Sequence, residues 1–277
     1  MTMPLLQSAI TRLKTITSTP QLEAETLLST VLNIPRIKIW TQDNLAITPA
    51  QEKAFEALLT RRLNHEPLAY LIESKEFWKF RLKVTPATLI PREETEMLVT
   101  ESLVRLPKEA CNHILELGTG SGAIALALAY ELPHSTLTAV DKSAAALSVA
   151  KDNASMLGLH NVQFVLSDWF ENVDSQAFDL IVSNPPYIAF DDPALEDNVK
   201  TFEPQSAYYA GNQGLSDIEA IVNAAPRFLK EKGWLLIEHG YQQGALVAQI
   251  FQTAGFEKVA TLQDLNGLDR VTLGVLQ

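Results

Sequence analysis

Cysteine is almost missing from this chain: Cys111 is the only one in 277 residues. An intrachain disulfide is therefore impossible, and a thiolate metal cluster is excluded with it. Just ahead of an apolar run, Cys111 reads as a small buried filler. Long hydrophobic runs are absent too. No stretch approaches the ~20 apolar residues a membrane-spanning helix needs, and Met1 to Lys14 lacks the basic-then-apolar layout of a signal peptide. These absences point to the cytoplasm and to no membrane partner. Histidine is sparse, five residues scattered along the chain, and no His/Asp/Glu group has the spacing of a metal site. Positive charge is also in deficit, 22 Lys+Arg against 33 Asp+Glu, a net of −11. That opposes a general affinity for nucleic acid, which depends on cationic side chains displacing counterions. The deficit is uneven. Residues 1–81 hold ten basic and eight acidic side chains, a net of +2, so residues 82–277 carry −13.

What the chain does have is apolar content, 47% of its residues, enough for a large core in one or two domains. The first seventy-odd residues read as helical. Leu5, Ile10, Leu13 and Ile16 recur at near-helical spacing. Thr19-Pro20 reads as an N-cap with proline in the first turn, opening a helix over 21–32. Thr48-Pro-Ala-Gln51 repeats the device with a capping box, starting a helix to about Asn64 whose Phe55, Leu58, Leu59 and Leu63 form an apolar face. This predicts a small helical bundle over 1–73, better suited to binding a partner than to catalysis. Alternation through Phe77, Trp78, Phe80, Leu82 and Val84 predicts a linking β-hairpin over 74–90. Pro91-Arg92 then opens a helix over 93–106.

From residue 113 the pattern alternates. Strands are expected at 113–117, 136–140, 162–166, 178–183 and 234–238, with helices at 122–131, 143–157, 215–230 and 241–254. Two closing strands lie near 256–262 and 269–275. Such alternation implies a doubly wound, Rossmann-like α/β sheet over 91–277. The segment 188–214 is too long for an ordinary connection and reads as a substrate-covering loop.

Glu116-Leu-Gly118-Thr119-Gly120-Ser121-Gly122 follows the first strand of this sheet and precedes a helical run. Glycines there let the backbone turn sharply and come close to a ligand. The next strand ends in Asp141, placed to accept from both hydroxyls of a ribose. The spacing is G-x-G-x-G rather than the dinucleotide G-x-G-x-x-G. Glu116, two residues before Gly118, suits a zwitterionic amino acid and a sulfonium better than a pyrophosphate. That favours S-adenosylmethionine. Ser167-Asp168-Trp169-Phe170 ends the third strand, where an adenine ring is expected. Asp168 can accept from its amino group; Trp169 reads equally as a ring contact or as core, and Phe170 as core.

Residues 181–187, Ile-Val-Ser-Asn184-Pro185-Pro186-Tyr187, end a further strand in an acceptor-rich, proline-stiffened turn. The Asn184 side-chain carbonyl and the Pro185 backbone carbonyl can hold the two hydrogens of a planar NH2 group while Tyr187 covers one face. An amide nitrogen is a poor nucleophile because its lone pair is delocalised. Orienting that lone pair at a methyl carbon supplies on the order of 7–11 kcal/mol of a barrier, and acceptors on both N–H groups stabilise the charge that develops on nitrogen. Tyr187 can equally close a core, and His239, in Glu238-His-Gly, reads as structural.

Asn184-Pro-Pro-Tyr187 together with Gly118–Gly122 resembles the amino-methyltransferases that act on glutamine, adenine or cytosine NH2 groups. Further motifs narrow the match: Glu76-Phe-Trp78, Leu89-Ile-Pro-Arg92 with Thr95-Glu96, Ser167–Phe170, Ser183–Ile188 and Phe202-Glu-Pro204. Across essentially the whole chain the sequence resembles the release factor glutamine methyltransferases. The resemblance implies methylation of the glutamine side-chain nitrogen N5 in the Gly-Gly-Gln motif of class I peptide chain release factors. S-adenosylmethionine would be the methyl donor, S-adenosylhomocysteine the product, and no metal would take part. It implies cofactor positions at Gly118 to Gly122, Asp141, Trp169 and Asn184, with Asp168 added from its place at the strand end. Asn184 to Tyr187 become the glutamine positions, Arg92 and Glu96 border the substrate channel, and the N-terminal helices bind the release factor. Arg92 and Glu96 can also be read as a solvent-exposed pair. Lys79 and Ala207-Tyr-Tyr209 depart from the family pattern, off the catalytic group. Adenine N6 methylation of nucleic acid shares the acceptor geometry and stays open as the alternative, as does a non-catalytic cofactor-binding module. The charge of residues 82–277, with Asp191, Asp192, Glu196 and Asp197 in the 188–214 loop, weighs against nucleic acid. A monomer is the default expectation.

Overall fold

The computed structural model describes residues 2–41, 45–174, 177–190, 192–193 and 195–277. Asp191, one of the acidic loop residues above, lies outside them. The chain divides into two compact units, Met1–Ser74 and Lys75–Gln277.

In the first unit, helices Thr2–Leu13, Pro20–Leu32 and Pro49–Leu63 are joined by short helical turns at Lys38–Thr41 and Leu68–Leu71. Phe55 and Leu59 bury completely among Leu6, Leu13, Leu27 and Leu28, with Leu58 and Leu63 at the margin. The 3.6-residue period turns one stripe of each helix inward. Two carboxylates on the second helix are buried but paired: Glu23 takes Arg62 in two hydrogen bonds, and Glu25 takes Arg36 at 2.7 Å. Thr48 caps its helix as expected, in a complete capping box with Gln51. Thr19 does not. Its ψ of 50° turns its hydroxyl away from the helix N–H groups, and it pairs instead with Thr17. Ile16 lies beyond the end of the first helix.

The hairpin is shorter than its alternation suggested: β1 is Ser74–Phe77 and β2 is Phe80–Lys83. Trp78 turns the chain with φ +55°, and residues 84–90 run on irregularly. A 3-10 turn, Glu93–Thr95, precedes the helix Glu96–Arg105.

The sheet has seven strands: β3 (His113–Leu117), β4 (Thr136–Asp141), β5 (Val162–Leu166), β6 (Phe178–Ser183), β7 (Leu229–Glu238), β8 (Glu257–Gln263) and β9 (Asp269–Val275). Their order is β5-β4-β3-β6-β7-β9-β8, parallel as far as β7 and antiparallel through β9 and β8. Successive side chains of a strand point to opposite faces, and the core divides accordingly. Ile114, Leu137, Leu180, Val182 and Leu236 pack on one face, Leu115, Leu117, Val140, Ile181 and Ile237 on the other. The helix Ala123–Glu131 buries Ala123 through Ala129 on all sides, as a helix enclosed by neighbours must.

Two boundaries differ from expectation. The helix after the long loop spans Ser216–Ala224, and Pro226 falls in a 3-10 turn at Ala225–Arg227. Proline has no N–H to continue the helical ladder. β7 accordingly starts at Leu229, five residues early, and bends at Lys232, whose φ is +64°. The last helix begins at Gly244 rather than 241. Segment 188–214 is not structureless. It contains the helix Asp197–Phe202 and a 3-10 turn at Gln205–Ala207, and its base is closed by a bridge between Ile188 and Tyr209. Among the described residues no helix is long and apolar enough to cross a membrane.

Candidate active site

The parallel strands bring their carboxyl ends to one edge of the sheet, and their register sets the neighbours there. Leu117 pairs with Ser183, so Gly118 and Asn184 leave adjacent strands together. Ser183 pairs with Ile237, which puts Glu238 next to Asn184. From β3 the sheet grows through β4 and β5 on one side and through β6 and β7 on the other. Crossovers then leave in opposite directions and open a crevice at that point. A cleft occupies it.

Its wall includes Arg92, Thr95, Glu116, Gly118, Thr119, Gly120, Ser121, Asp141, Asp168, Trp169, Asn184 and Pro186. Gly122, Pro185, Tyr187 and Glu96, also singled out from the sequence, are not among its lining residues. Segments the sequence did not single out contribute as well: Ala87-Thr88, Lys142-Ser143, and Ser206. Nothing in their composition distinguishes them. They are brought in by the path of the backbone.

Gly118 and Gly120 have φ of +73° and +55°, and a Cβ on Gly120 would meet no atom within 4 Å. The loop is therefore left-handed and open, a shape glycine adopts without penalty. Gly122 has another task. A Cβ there would press on Leu126 at 3.0 Å and Ala150 at 3.3 Å, so its glycine lets the loop seat on its helix. Asp141 Oδ2 accepts from Gly120 N–H at 2.9 Å and Oδ1 from Ser143 N–H at 2.8 Å. A carboxylate has about four lone-pair positions, so two remain for hydroxyl donors. The Trp169 ring lies 3.5 Å from where a Gly118 Cβ would stand. It lines the cleft and also packs on the core. Phe170 stacks on Phe228 at 4.4 Å and is core. Asp168 is an exposed carboxylate on the cleft wall.

Glu116 is the buried acid of this wall. Its Oε2 accepts from the Thr119 hydroxyl at 2.6 Å and from Ala125 N–H at 2.9 Å. Burial nevertheless pushes its pKa up to about 8, with the Asp141 charge adding to the rise. An open glycine cradle, a buried carboxyl favoured by an incoming cation, a second carboxylate with free lone pairs and an aromatic wall fit S-adenosylmethionine.

Opposite the cradle, Asn184 donates from Nδ2 to the Thr95 hydroxyl at 3.1 Å. That commits its NH2 side and leaves the Oδ1 of this cleft-wall residue as an acceptor. Pro185 and Pro186 are buried. Tyr187 points its hydroxyl at Glu238 Oε1, 3.4 Å away, and its backbone carbonyl accepts from Gln243 Nε2 at 3.0 Å. Gly214, φ +86°, passes so close that a Cβ would stand 2.1 Å from that carbonyl oxygen. Burial, chiefly, holds the Tyr187 phenol above its usual range and so neutral. His239 is fully buried, its Nδ1 donating to Gly240 O and its Nε2 bonded to Thr272, a structural residue as read.

Arg92 and Glu96 do not pair with each other. Arg92 binds Glu203 Oε1 at 2.5 Å, while Glu203 Oε2 takes Ile90 N–H at 3.0 Å. Glu96 accepts from Trp78 N–H at 2.7 Å and so holds the hairpin turn. The departures from the family pattern have local homes. Lys79 binds Glu131 at 2.6 Å, and Tyr209 stacks on Phe190 at 4.9 Å. One earlier expectation fails outright: Cys111 is exposed, not a core filler, because it precedes β3 and never enters the sheet.

Comparisons with known proteins agree with this geometry. The family model described as Methyltransferase small domain matches residues 95–200. The one described as PrmC N-terminal domain matches residues 4–72. The release factor glutamine methyltransferase of Escherichia coli (strain K12) is 45% identical over 269 residues, covering 97% of this chain and 96% of that one. The protein of the same name from Xylella fastidiosa (strain 9a5c) is 45% identical over 254 residues, 92% of each. A solved methyltransferase from Pyrococcus furiosus shares the fold at 16% identity, with a TM-score of 0.52 over 70% of this chain and 87% of that one. With relatives this similar along nearly their full length, the chain belongs to the release factor glutamine methyltransferase family.

Proposed function

We propose that the protein transfers a methyl group from S-adenosylmethionine to the side-chain nitrogen, N5, of the glutamine in the Gly-Gly-Gln motif of class I release factors. The observation that supports this reading is that Asn184, on the cleft wall beside the glycine loop, commits its NH2 group to Thr95, which leaves its carbonyl oxygen as an acceptor. When bound, S-adenosylmethionine supplies an electrophilic methyl on a sulfonium. Gly118 to Ser121 would cradle its amino-acid part, with Glu116 facing the ammonium. Asp141 would accept from the ribose hydroxyls, and Asp168 with Trp169 would border the adenine.

Asn184 Oδ1 and the Pro185 carbonyl would take one hydrogen each of the glutamine NH2. Two such acceptors fix the amide plane, so that the nitrogen lone pair faces the methyl in line with the sulfur. They also stabilise the positive charge that grows on nitrogen before the proton leaves. Pro186 keeps this corner stiff, and Tyr187 supports it from behind through Glu238. The Arg92–Glu203 pair anchors the 188–214 segment at the rim, where Pro204, Ser206 and Ala207 close the wall. The N-terminal unit would bind the release factor. A nucleic-acid amine as substrate is disfavoured by the −13 carried by residues 82–277, which would repel a polyanion.

Incubation with labelled S-adenosylmethionine and either purified release factor or duplex DNA tests the reading. Label on the release factor glutamine is expected. Label only on DNA would overturn it, and label on neither would favour a binding module. Asn184→Ala is expected to cut kcat by about a hundred- to a thousand-fold, the range seen when one transition-state hydrogen bond is removed. Its cofactor Kd, read by calorimetry, should stay within about threefold. Near-normal turnover would disprove the two-acceptor scheme.

A further inference from the structure

Glu238 ends β7 beside Asn184, 1% exposed, and among the described residues its Oε2 has no hydrogen-bond partner. A buried carboxylate oxygen left alone is costly, so it calls for a reason. Three neighbours supply one. The Tyr187 hydroxyl points at Oε1. The Thr95 hydroxyl, 4% exposed, stabilises the same carboxylate. That hydroxyl oxygen already accepts the Asn184 NH2, so its own proton must go elsewhere, and Glu238 is the acceptor at hand.

We propose, on the functional reading above, that Glu238 is a positioning residue that sets the polarity of a hydrogen-bond chain ending at Asn184. Ionised, Glu238 can only accept. Thr95 then donates to it, Thr95 oxygen receives the Asn184 NH2, and Asn184 Oδ1 is the atom offered to substrate. Protonated, Glu238 can donate to Thr95 and release the Thr95 proton toward Asn184. The amide then gains by flipping, and an NH2 group meets the substrate NH2, donor against donor. The same carboxylate holds the Tyr187 ring through its hydroxyl.

The electrostatic surroundings agree. Burial raises the Glu238 pKa to about 7, opposed by Thr95, Arg270 and Tyr187 and assisted by Glu94. Of the other charged or titratable groups nearby, Arg92 acts on Tyr187, Arg270 is also paired with Asp264, and His239 is buried with its pKa lowered and stays neutral. Ionisation is thus complete only above about pH 7, and turnover should fall as pH drops below it.

The test uses full-length protein and release factor. Glu238→Gln keeps shape but can donate; Thr95→Val breaks the chain; Thr95→Ser keeps the hydroxyl. Expected are a loss in kcat on the order of 10-fold or more for Glu238→Gln and Thr95→Val, with cofactor Kd within about threefold. Thr95→Ser should recover most of what Thr95→Val loses, and the double variant Glu238→Gln/Thr95→Val should be no slower than the worse single one. Wild-type kcat should fall below about pH 7 with a one-proton slope, and that limb should vanish in Glu238→Gln. Should Glu238→Gln fail to fold, the wild-type profile and the Thr95 pair still decide. Wild-type kcat independent of pH from 6 to 8, or both variants at full kcat, would overturn the proposal. A wild-type protein that leaves the release factor unlabelled would instead overturn the functional reading.

Discussion

Glu116 combines two hydrogen bonds with a raised pKa, and the balance can be read as stability. The folded protein holds its proton up to about pH 8, against an ordinary value of 4.5 for a glutamate. The folded state therefore binds more protons than the unfolded one between those limits. Its contribution to stability is full below about 4.5 and is lost as pH rises through about 8. Glu116→Gln removes this dependence. Thermal melts from pH 5 to 9 are expected to show the variant's Tm rising relative to wild type as pH increases. A difference that stays constant would mean that Glu116 does not titrate in that window. The glycines, by contrast, were informative from composition alone. A left-handed loop needs residues without a Cβ, and Gly118 and Gly120 supply them. What the spacing could not reveal is that Gly122, left-handed too at φ +86°, also serves packing, because the neighbours of its missing Cβ, Leu126 and Ala150, come from folded helices.

Identifiable contacts hold segment 188–214. Its base is pinned by the Ile188–Tyr209 bridge, its interior carries the helix Asp197–Phe202, and its far side is tied down by Glu203. Glu203 is 5% exposed and holds both Arg92 and the Ile90 backbone. Removing one partner of such a pair leaves the other charge or donor unmatched. Glu203→Ala is expected to raise KM for the release factor about tenfold or more while leaving the fold intact. Hydrogen exchange at the backbone of 197–207 should quicken in parallel. Unchanged exchange there would show that the pair does not anchor the segment. The motif Phe202-Glu-Pro204 was visible in the sequence, but the partner of Glu203 was not, since Arg92 stands 111 residues away. Arg92–Glu96 was the pairing that local spacing suggested, and the 3-10 turn at Glu93–Thr95 replaced it.

The two compact units differ in charge as well as architecture: residues 1–74 hold seven basic and seven acidic side chains, a net of zero, so residues 75–277 carry the whole −11. If the first serves to bind the release factor, removing it should separate cofactor affinity from substrate affinity. A chain of residues 75–277 is expected to keep its S-adenosylmethionine Kd within about threefold of the full-length protein. Its KM for release factor should rise by at least about tenfold, as expected when one of two linked binding surfaces is lost. An unchanged KM would remove the binding role from the N-terminal unit. Activity on a short Gly-Gly-Gln peptide would serve as the control, since a peptide lacks the larger surface.

The order of the main helices and strands, and the gathering of Gly118 to Ser121, Asp141 and Asn184 at the strands' carboxyl ends, were legible in the chain. Each follows from local rules: periodicity, turn chemistry, and the few residues able to occupy a strand's carboxyl end. Helix 123–131 and strands β3 to β6 were legible for the same reason, as short runs with clear punctuation. The start of β7 was less so: residues 229–230 read as the end of a helix, until Pro226 and the pairing of Leu229 with Phe178 decide otherwise. Three-dimensional packing alone determined which polar atoms are left over. Only the parallel register of β6 and β7 puts Glu238 beside Asn184, and burial, chiefly, raises its pKa to about 7. Those relations join residues 54 positions apart, which no local pattern encodes.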